Sequence, residues 1–371
     1  MKRIALTTLC LLLLPGCAVA QGSLSKGLAA EAKGLDDLAE QYYREAADTS
    51  AAARLRLGLM EERRERYGEA AHWLVQADSS ALALAHLAAC QAELQHWPDA
   101  RRAAEKAIET ADTADHTVRS VAMASLALVY CADQNYTNAL HWARQAEAED
   151  PRSARALNVE GVVLYSRGNE NEAIKTFRQA LKVDPANVDA HFNLGTIYCR
   201  RNSYDMAIST LRAGLKQNRR SVKLFYCFGW AYLLKGENEK AIECLENVLE
   251  LDSTYVNAYN RLGDIYFGRG EYNRAVEQYR KAIRMAPDLT EAYRLLGRTY
   301  AEQDDFGKAI RQYQKAVEID PKDADTYCRI AELYGRQGQP KREQANYKRA
   351  ARLGSDQARQ WCTRHGINYQ Q

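Results

Sequence analysis

Small and large apolar residues recur along this chain with a long period. Glycine stands at 161, 195, 229, 263 and 297, each 34 residues after the last, and Ala331 follows in the same register. Twelve residues after the glycines come Ala173, Ala207, Ala241, Ala275 and Ala309, and four further on stand Phe177, Leu211, Leu245, Tyr279 and Tyr313. Three residues later are Ala180, Gly214, Val248, Ala282 and Ala316. Offsets of 3, 4 and 7 share one face of an α-helix, so each period predicts two amphipathic helices. With the glycine as position 8, a bend is predicted at position 15. There Gly168, Asn202, Gly236, Gly270, Asp304 and Gly338 are the residue types that best tolerate a left-handed backbone. Small residues at positions 8, 20 and 27 let paired helices approach, while Tyr130, Tyr198, Tyr232, Tyr266, Tyr300 and Tyr334 at position 11 fill the space between. One helix pair cannot bury its own apolar face, whereas a stack of pairs makes a continuous core.

The period and the alternation of small and large residues resemble the tetratricopeptide repeat (TPR) family. Leu262-Gly263-Asp264-Ile265-Tyr266 with Ala275, Tyr279, Ala282 and Pro287 matches that motif nearly throughout, and Pro151, Pro185 and Pro321 mark other repeat ends. The resemblance implies an all-α TPR α-solenoid, a right-handed superhelix of antiparallel helix pairs with no domain boundary. Seven repeats are expected over residues 120–353 and two degenerate ones over 51–119, the latter marked by Gly58 with Ala70 and Leu74 and by Ala88 with Ala100 and Ala104. Ala39, Tyr43 and Ala46 suggest a lone helix or half repeat over 28–50, after a flexible leader at 21–27. Residues 354–371 read as a capping helix and tail. Glu343 stands where position 20 should be alanine, which implies a solvated final repeat.

Composition adds a location. Lys2 and Arg3 precede an apolar run from Ile4 to Leu14, and Ala18-Val19-Ala20 forms a small-x-small site, the order found in a secretory signal peptide over residues 1–20. A competing reading takes Leu14-Pro15-Gly16-Cys17 as a lipoprotein signal ending at 16 with lipid on Cys17, although Pro15 departs from that pattern. Both place the mature protein outside the cytoplasm, periplasmic, outer-membrane associated or secreted, with the membrane reached only through Cys17. The 371 residues carry 51 Lys+Arg and 48 Asp+Glu, a formal +3 that falls to +1 without Lys2 and Arg3. So balanced a chain has no general attraction for nucleic acid.

Candidates for catalysis are thin. The seven histidines lack paired metal-ligand spacing, no phosphate-cradling glycine loop occurs, and neither a metal nor a cofactor is expected. Ser23 and Lys26 form a serine-x-x-lysine pattern in the leader, and Asn135-Tyr136-Thr137 has the form of a glycosylation sequon; both read as coincidences. Seven cysteines follow the leader, all in predicted helices where a thiol acts as a small hydrophobe.

The TPR resemblance implies a groove lined by positions 2, 5, 9, 12 and 13 of each first helix, holding a peptide or partner helix. Partner-binding candidates at those positions are Phe192, Thr196 and Arg200, then Tyr226 and Trp230, then Asn260, Asp264, Arg294 and Arg298. Aromatics suit binding hot spots and arginines recognise carboxylates. The opposing reading packs the aromatics against neighbouring repeats and pairs Arg294 and Arg298 with Glu291 and Glu302. The co-chaperone type of TPR domain needs lysine at position 5 and asparagine at position 9, and no repeat here has that pair, so that function is rejected. A non-catalytic, exported scaffold for a protein or peptide partner is expected; a lipid-anchored assembly factor and a glycan-binding or enzymatic accessory solenoid are the alternatives. Oligomeric state is not legible.

Overall fold

The turn residue of each repeat falls where the left-handed backbone does. At position 15, φ is +94° at Gly168, +56° at Asn202, +85° at Gly236, +74° at Gly270, +56° at Asp304 and +66° at Gly338. The same conformation recurs at Glu65, Gln95 and Gln134, with φ of +63°, +59° and +58°. Those three occupy position 15 of the preceding units, where the residue type gives no hint, because a side chain there costs about 1–2 kcal/mol.

The computed structural model describes residues 15–370, with side chains from residue 20 onward. Twenty-one helices and no strand occur among the described residues. In chain order they are α1 (Pro15–Glu31), α2 (Asp36–Ala46), α3 (Ala51–Arg63), α4 (Tyr67–Gln76), α5 (Ala81–Glu93), α6 (Trp97–Thr110), α7 (His116–Ala132), α8 (Tyr136–Glu149), α9 (Ala154–Ser166), α10 (Glu170–Val183) and α11 (Val188–Arg200). There follow α12 (Tyr204–Gln217), α13 (Val222–Lys235), α14 (Asn238–Leu251), α15 (Val256–Gly268), α16 (Tyr272–Met285), α17 (Thr290–Glu302), α18 (Phe306–Ile319), α19 (Ala324–Arg336), α20 (Pro340–Arg352) and α21 (Asp356–Arg364). Odd and even helices pair as the period predicts, making a TPR α-solenoid.

Position 8 sets how closely a pair can approach. A Cβ added at Gly161 would lie 2.6 Å from Phe177 Cε1, and one at Gly263 would lie 2.4 Å from Tyr279 Cε1. The large residue at position 24 therefore fills the space that the missing side chain leaves. First helices are fixed at their starts by caps: Ser153 Oγ accepts from Ala156 N at 3.2 Å and Asn187 Oδ1 from Ala190 N at 2.8 Å.

Three expectations change. Residues 21–27 are not a flexible leader but part of α1, with Ser23 buried and Gly27 packed on the Tyr43 ring. Tyr43, assigned to a lone helix over 28–50, is the second half of a full pair, α1 with α2, because Gly27 supplies the close-approach position 16 residues before it. Residues 1–14, which hold most of the expected signal peptide, lie outside the described residues, and so does the side chain of Cys17. The chain also has a boundary where an unbroken stack was expected. It forms two compact units, one of residues up to 201 with 205–224, the other of 202–204 with 225–371. Unit 1 is tied by polar contacts that skip neighbouring repeats, including Glu62 to Arg155, 93 residues apart, and Glu65 to Ser221, 156 apart.

In unit 2, the half-buried Glu343 lies against Gly335, where a Cβ would be 2.8 Å from its Oε1. Beyond it α21 covers the end of the stack, with the Trp361 ring stacked 4.3 Å from that of Tyr347 and Cys362 fully buried.

Candidate functional site

The inner face of unit 1 holds a cavity of about 250 Å3. Helices α5, α7, α9 and α11 contribute Ala89, Ser125, Asn158 and Asn193 to its wall, and Tyr67, Trp97 and Lys223 close its sides. Glu93, Arg155, Asp189 and Lys223 are its charged lining, and they bond to each other and to residues outside it. Arg155 Nη2 donates to Glu62 Oε1 at 2.5 Å, and the other Glu62 oxygen lies 2.6 Å from His86 Nδ1. Lys223 Nζ is 2.5 Å from Asp189 and 3.7 Å from Glu93. Ser221 Oγ donates to Glu65 at 2.8 Å while capping α13 at Leu224 N. Asn193 Nδ2 donates to Asn158 Oδ1 at 3.0 Å, which leaves the second amide group of each free to meet a ligand.

Electrostatics divides the carboxylates. Burial raises the pKa of Glu62, but the Arg155 charge and the His86 hydrogen bond outweigh it and bring the group to about 2. Burial likewise disfavours the Asp189 anion, yet the Lys223 ammonium holds its pKa below the usual range. Glu65 and Glu93 go the other way, because burial dominates and pushes both up.

These residues sit in the repeat register. Arg155, Asp189 and Lys223 stand 34 residues apart at position 2, facing Glu62 and Glu93 at positions 12 and 13 of earlier units. The signal that could have found them is alternating charge at one repeat position. The groove positions 2, 12 and 13 hold these charges, whereas the candidates chosen from sequence stand at positions 5, 9 and 13 of the repeats from Phe192 onward.

The sequence-selected residues lie partly in each unit. In unit 1, Phe192 is half-buried with Lys223 Nζ 4.9 Å above its ring. Thr196 is half-buried, and the exposed Arg200 donates from Nη1 to Tyr165 Oη at 3.1 Å. In unit 2, Tyr226 and Trp230 are half-buried, and the Tyr226 ring meets that of Tyr255 at 5.2 Å. Asp264 accepts from Tyr279 Oη at 2.9 Å and pairs with Arg261 at 3.4 Å; Arg261, which the sequence reading omits, also approaches Tyr226 Oη at 3.5 Å. Asn260 Oδ1 is shut from solvent with no donor among the described residues. Arg294 pairs with Glu291 at 3.5 Å and Asp323 at 3.6 Å. Among the described residues Arg298 does not pair with Glu302 but lies, exposed, 4.2 Å over the Phe267 ring.

Other candidates disperse. Ser23 Oγ donates to Glu45 and Lys26 lies over the Tyr42 ring, so no serine–lysine pair forms. Asn135 caps α8. Burial pushes the thiols of Cys199 and Cys244 up to about 11 and about 12, away from reactivity. Among the described residues no group of three His, Cys, Asp or Glu is placed to hold a metal, and no helix is long and apolar enough to cross a membrane.

Comparison with known proteins agrees with this architecture. Residues 124–178, 190–223, 255–322 and 312–345 each match a tetratricopeptide repeat family, and 161–200 with 229–268 match a TPR repeat family. No curated protein matches the chain. Among solved structures, a human IFIT1 dimer with PPP-AAAA is 18% identical, with 89% of each chain covered and a TM-score of 0.55. Cut9 in the APC/C hetero-tetramer Cut9-Hcn1 is 16% identical over 93% of this chain and 76% of that one, TM-score 0.53. MamA is 30% identical over 44% of this chain and 96% of its own, TM-score 0.41.

Proposed function

Because the chain belongs to the tetratricopeptide repeat family, we propose that it is a non-catalytic scaffold that holds an extended segment of a partner protein against the inner faces of its first helices. The observation that carries this is the polar lining of unit 1. Charges recur there at repeat position 2 and amides stand at positions 5 and 6 around a cavity, which a purely structural stack would fill with apolar side chains. In unit 2, the exposed guanidinium of Arg298 offers a carboxylate its complement. We extend the proposal to location: the charge, apolar run and small-residue site of residues 1–20 support export to a cell envelope.

Capture on the tagged full chain tests both. A Trp230→Ala, Arg298→Ala variant is expected to lose at least tenfold of the partner that the wild type retains, while keeping its thermal midpoint. Equal recovery would refute the groove assignment. The mass of the recovered chain should correspond to a start at Gln21 or at lipidated Cys17; an intact Met1 would refute export.

A further inference from the structure

The near-balance of charge over the whole chain conceals a division between the helices of unit 2. In its last three helix pairs, the first helices α15, α17 and α19 each carry as many carboxylates as cations. The second helices do not. Helix α16 holds four cations and one carboxylate, α18 three and one, and α20 five and one, a surplus of +9 in a chain whose formal total is +3. The preceding second helix, α14, has the opposite sign, with Lys240 against four glutamates.

These cations share one face. Position 19 is Arg274, Lys308 and Arg342, and position 26 is Lys281, Lys315 and Arg349, two rows about 10 Å apart along the helices. Tyr279, Tyr313 and Tyr347 at position 24 are buried on the other side. Arg274, Lys281, Lys308 and Lys315 are neutralised by Glu271, Glu277, Asp305 and Glu318 at 2.5–2.8 Å. Eight cations remain with no carboxylate within 4.0 Å among the described residues: Arg280 and Arg284 in α16, Arg311 in α18, and all five of α20. Arg280 donates to the Tyr300 hydroxyl and Arg352 to the Tyr369 carbonyl, contacts that orient a guanidinium without cancelling its charge. Of the eight only Lys348 is half-buried, so the surplus faces solvent. Met285 and Ile319, at position 30 where α16 and α18 end, are exposed beside it.

We propose that the exposed face of α16, α18 and α20 rests on a bilayer containing anionic phospholipid, its unpaired cations meeting headgroup phosphates and Met285 and Ile319 supplying the apolar contact. Each cation close to such a surface adds its own attraction, so a field of this kind binds although no single residue makes a pocket. Exposed aliphatic side chains beside the cations suit lipid. Single-stranded nucleic acid is held on aromatic platforms, and no aromatic side chain of the three helices is exposed. This surface lies on second helices, so the inference goes beyond the groove reading and stands or falls apart from it.

Flotation of the purified full chain with vesicles of phosphatidylcholine, alone or with phosphatidylglycerol added, tests it. Wild type should bind the anionic vesicles about a hundredfold or more tightly than the neutral ones, which cancel any insertion by residues 4–14. The difference should vanish in about 1 M salt, where charges are screened within about 3 Å. Arg284→Gln, Arg311→Gln and Lys341→Gln together should remove about a hundredfold of it, about fivefold for each cation. None of the three makes a hydrogen bond, ion pair or ring contact among the described residues, so the thermal midpoint should hold. Lys175→Gln, Lys182→Gln and Lys216→Gln, which take as much charge from exposed positions of α10 and α12, should change it by about twofold at most. A wild type that does not prefer anionic vesicles, or equal losses from the two triple variants, would overturn the proposal. So would single-stranded RNA bound more tightly than the vesicles at equal phosphate, which would reassign the face to nucleic acid. Inorganic phosphate that displaces the chain where chloride of the same ionic strength does not would make this a soluble-phosphate site and overturn it as well.

Discussion

Replacing Phe177 by alanine is expected to destabilise unit 1 by about 3–5 kcal/mol, the range for deleting a buried aromatic side chain. Phe177 is 1% exposed and fills the space over Gly161, whose missing Cβ would lie 2.6 Å from its ring. Neither helix can close the void. α9 is already held at glycine distance, and α10 is anchored by the fully buried Ala173 and Ala180 on the same face. For a body of about two hundred residues, that loss corresponds to a fall in thermal midpoint of about 6–20 °C. Calorimetry of the full chain gives the number, and a shift under 2 °C would show that the pair does not depend on this contact. Phe177→Leu should retain most of the stability, since it keeps much of the volume.

Replacing Arg155 by alanine should cost about 2–3 kcal/mol at pH 7. Breaking a buried ion pair costs about 3–5 kcal/mol because the remaining charge is left uncompensated. The lower figure is appropriate here, since the Arg155 side chain is 39% exposed and His86 stays beside Glu62. The cost should depend on pH in a definite direction. Glu62 has a folded pKa of about 2, below its unfolded value near 4.5, so its contribution is complete above 4.5 and disappears as pH falls toward 2. Denaturant unfolding should therefore show the largest gap between wild type and Arg155→Ala at neutral pH and a narrowing gap below 4.5. A gap that stays constant down to pH 3 would mean that Arg155 contributes packing and not charge.

These two sites show what can be read from one sequence. Phe177 lies at sequence distance 16 from Gly161, within one repeat, and the period alone marks both residues and their contact. Arg155 and Glu62 are 93 residues apart. Their meeting depends on how several helix pairs accumulate rotation, and no local pattern encodes that. The boundary near residue 224 was hidden for the same reason, since it follows from the long-range ties of Glu65 and Lys223. The pairing of α1 with α2 was hidden differently. Its close-approach residue, Gly27, sits in a segment whose polar residues and proximity to the leader read as disorder. At the candidate site the register placed Phe192, Asn260 and Arg298 on first helices, but the cover over Phe192 and the stacking of Arg298 on Phe267 are tertiary facts.

Site-specific photo-crosslinking shows whether a partner lies along the inner face. A benzophenone side chain at Asn193, on the cavity wall, is compared with one at Lys175, exposed on the second helix α10. A partner adduct is expected from position 193 and none from position 175 after irradiation in the native cell. An adduct from position 175 with none from position 193 would contradict that placement.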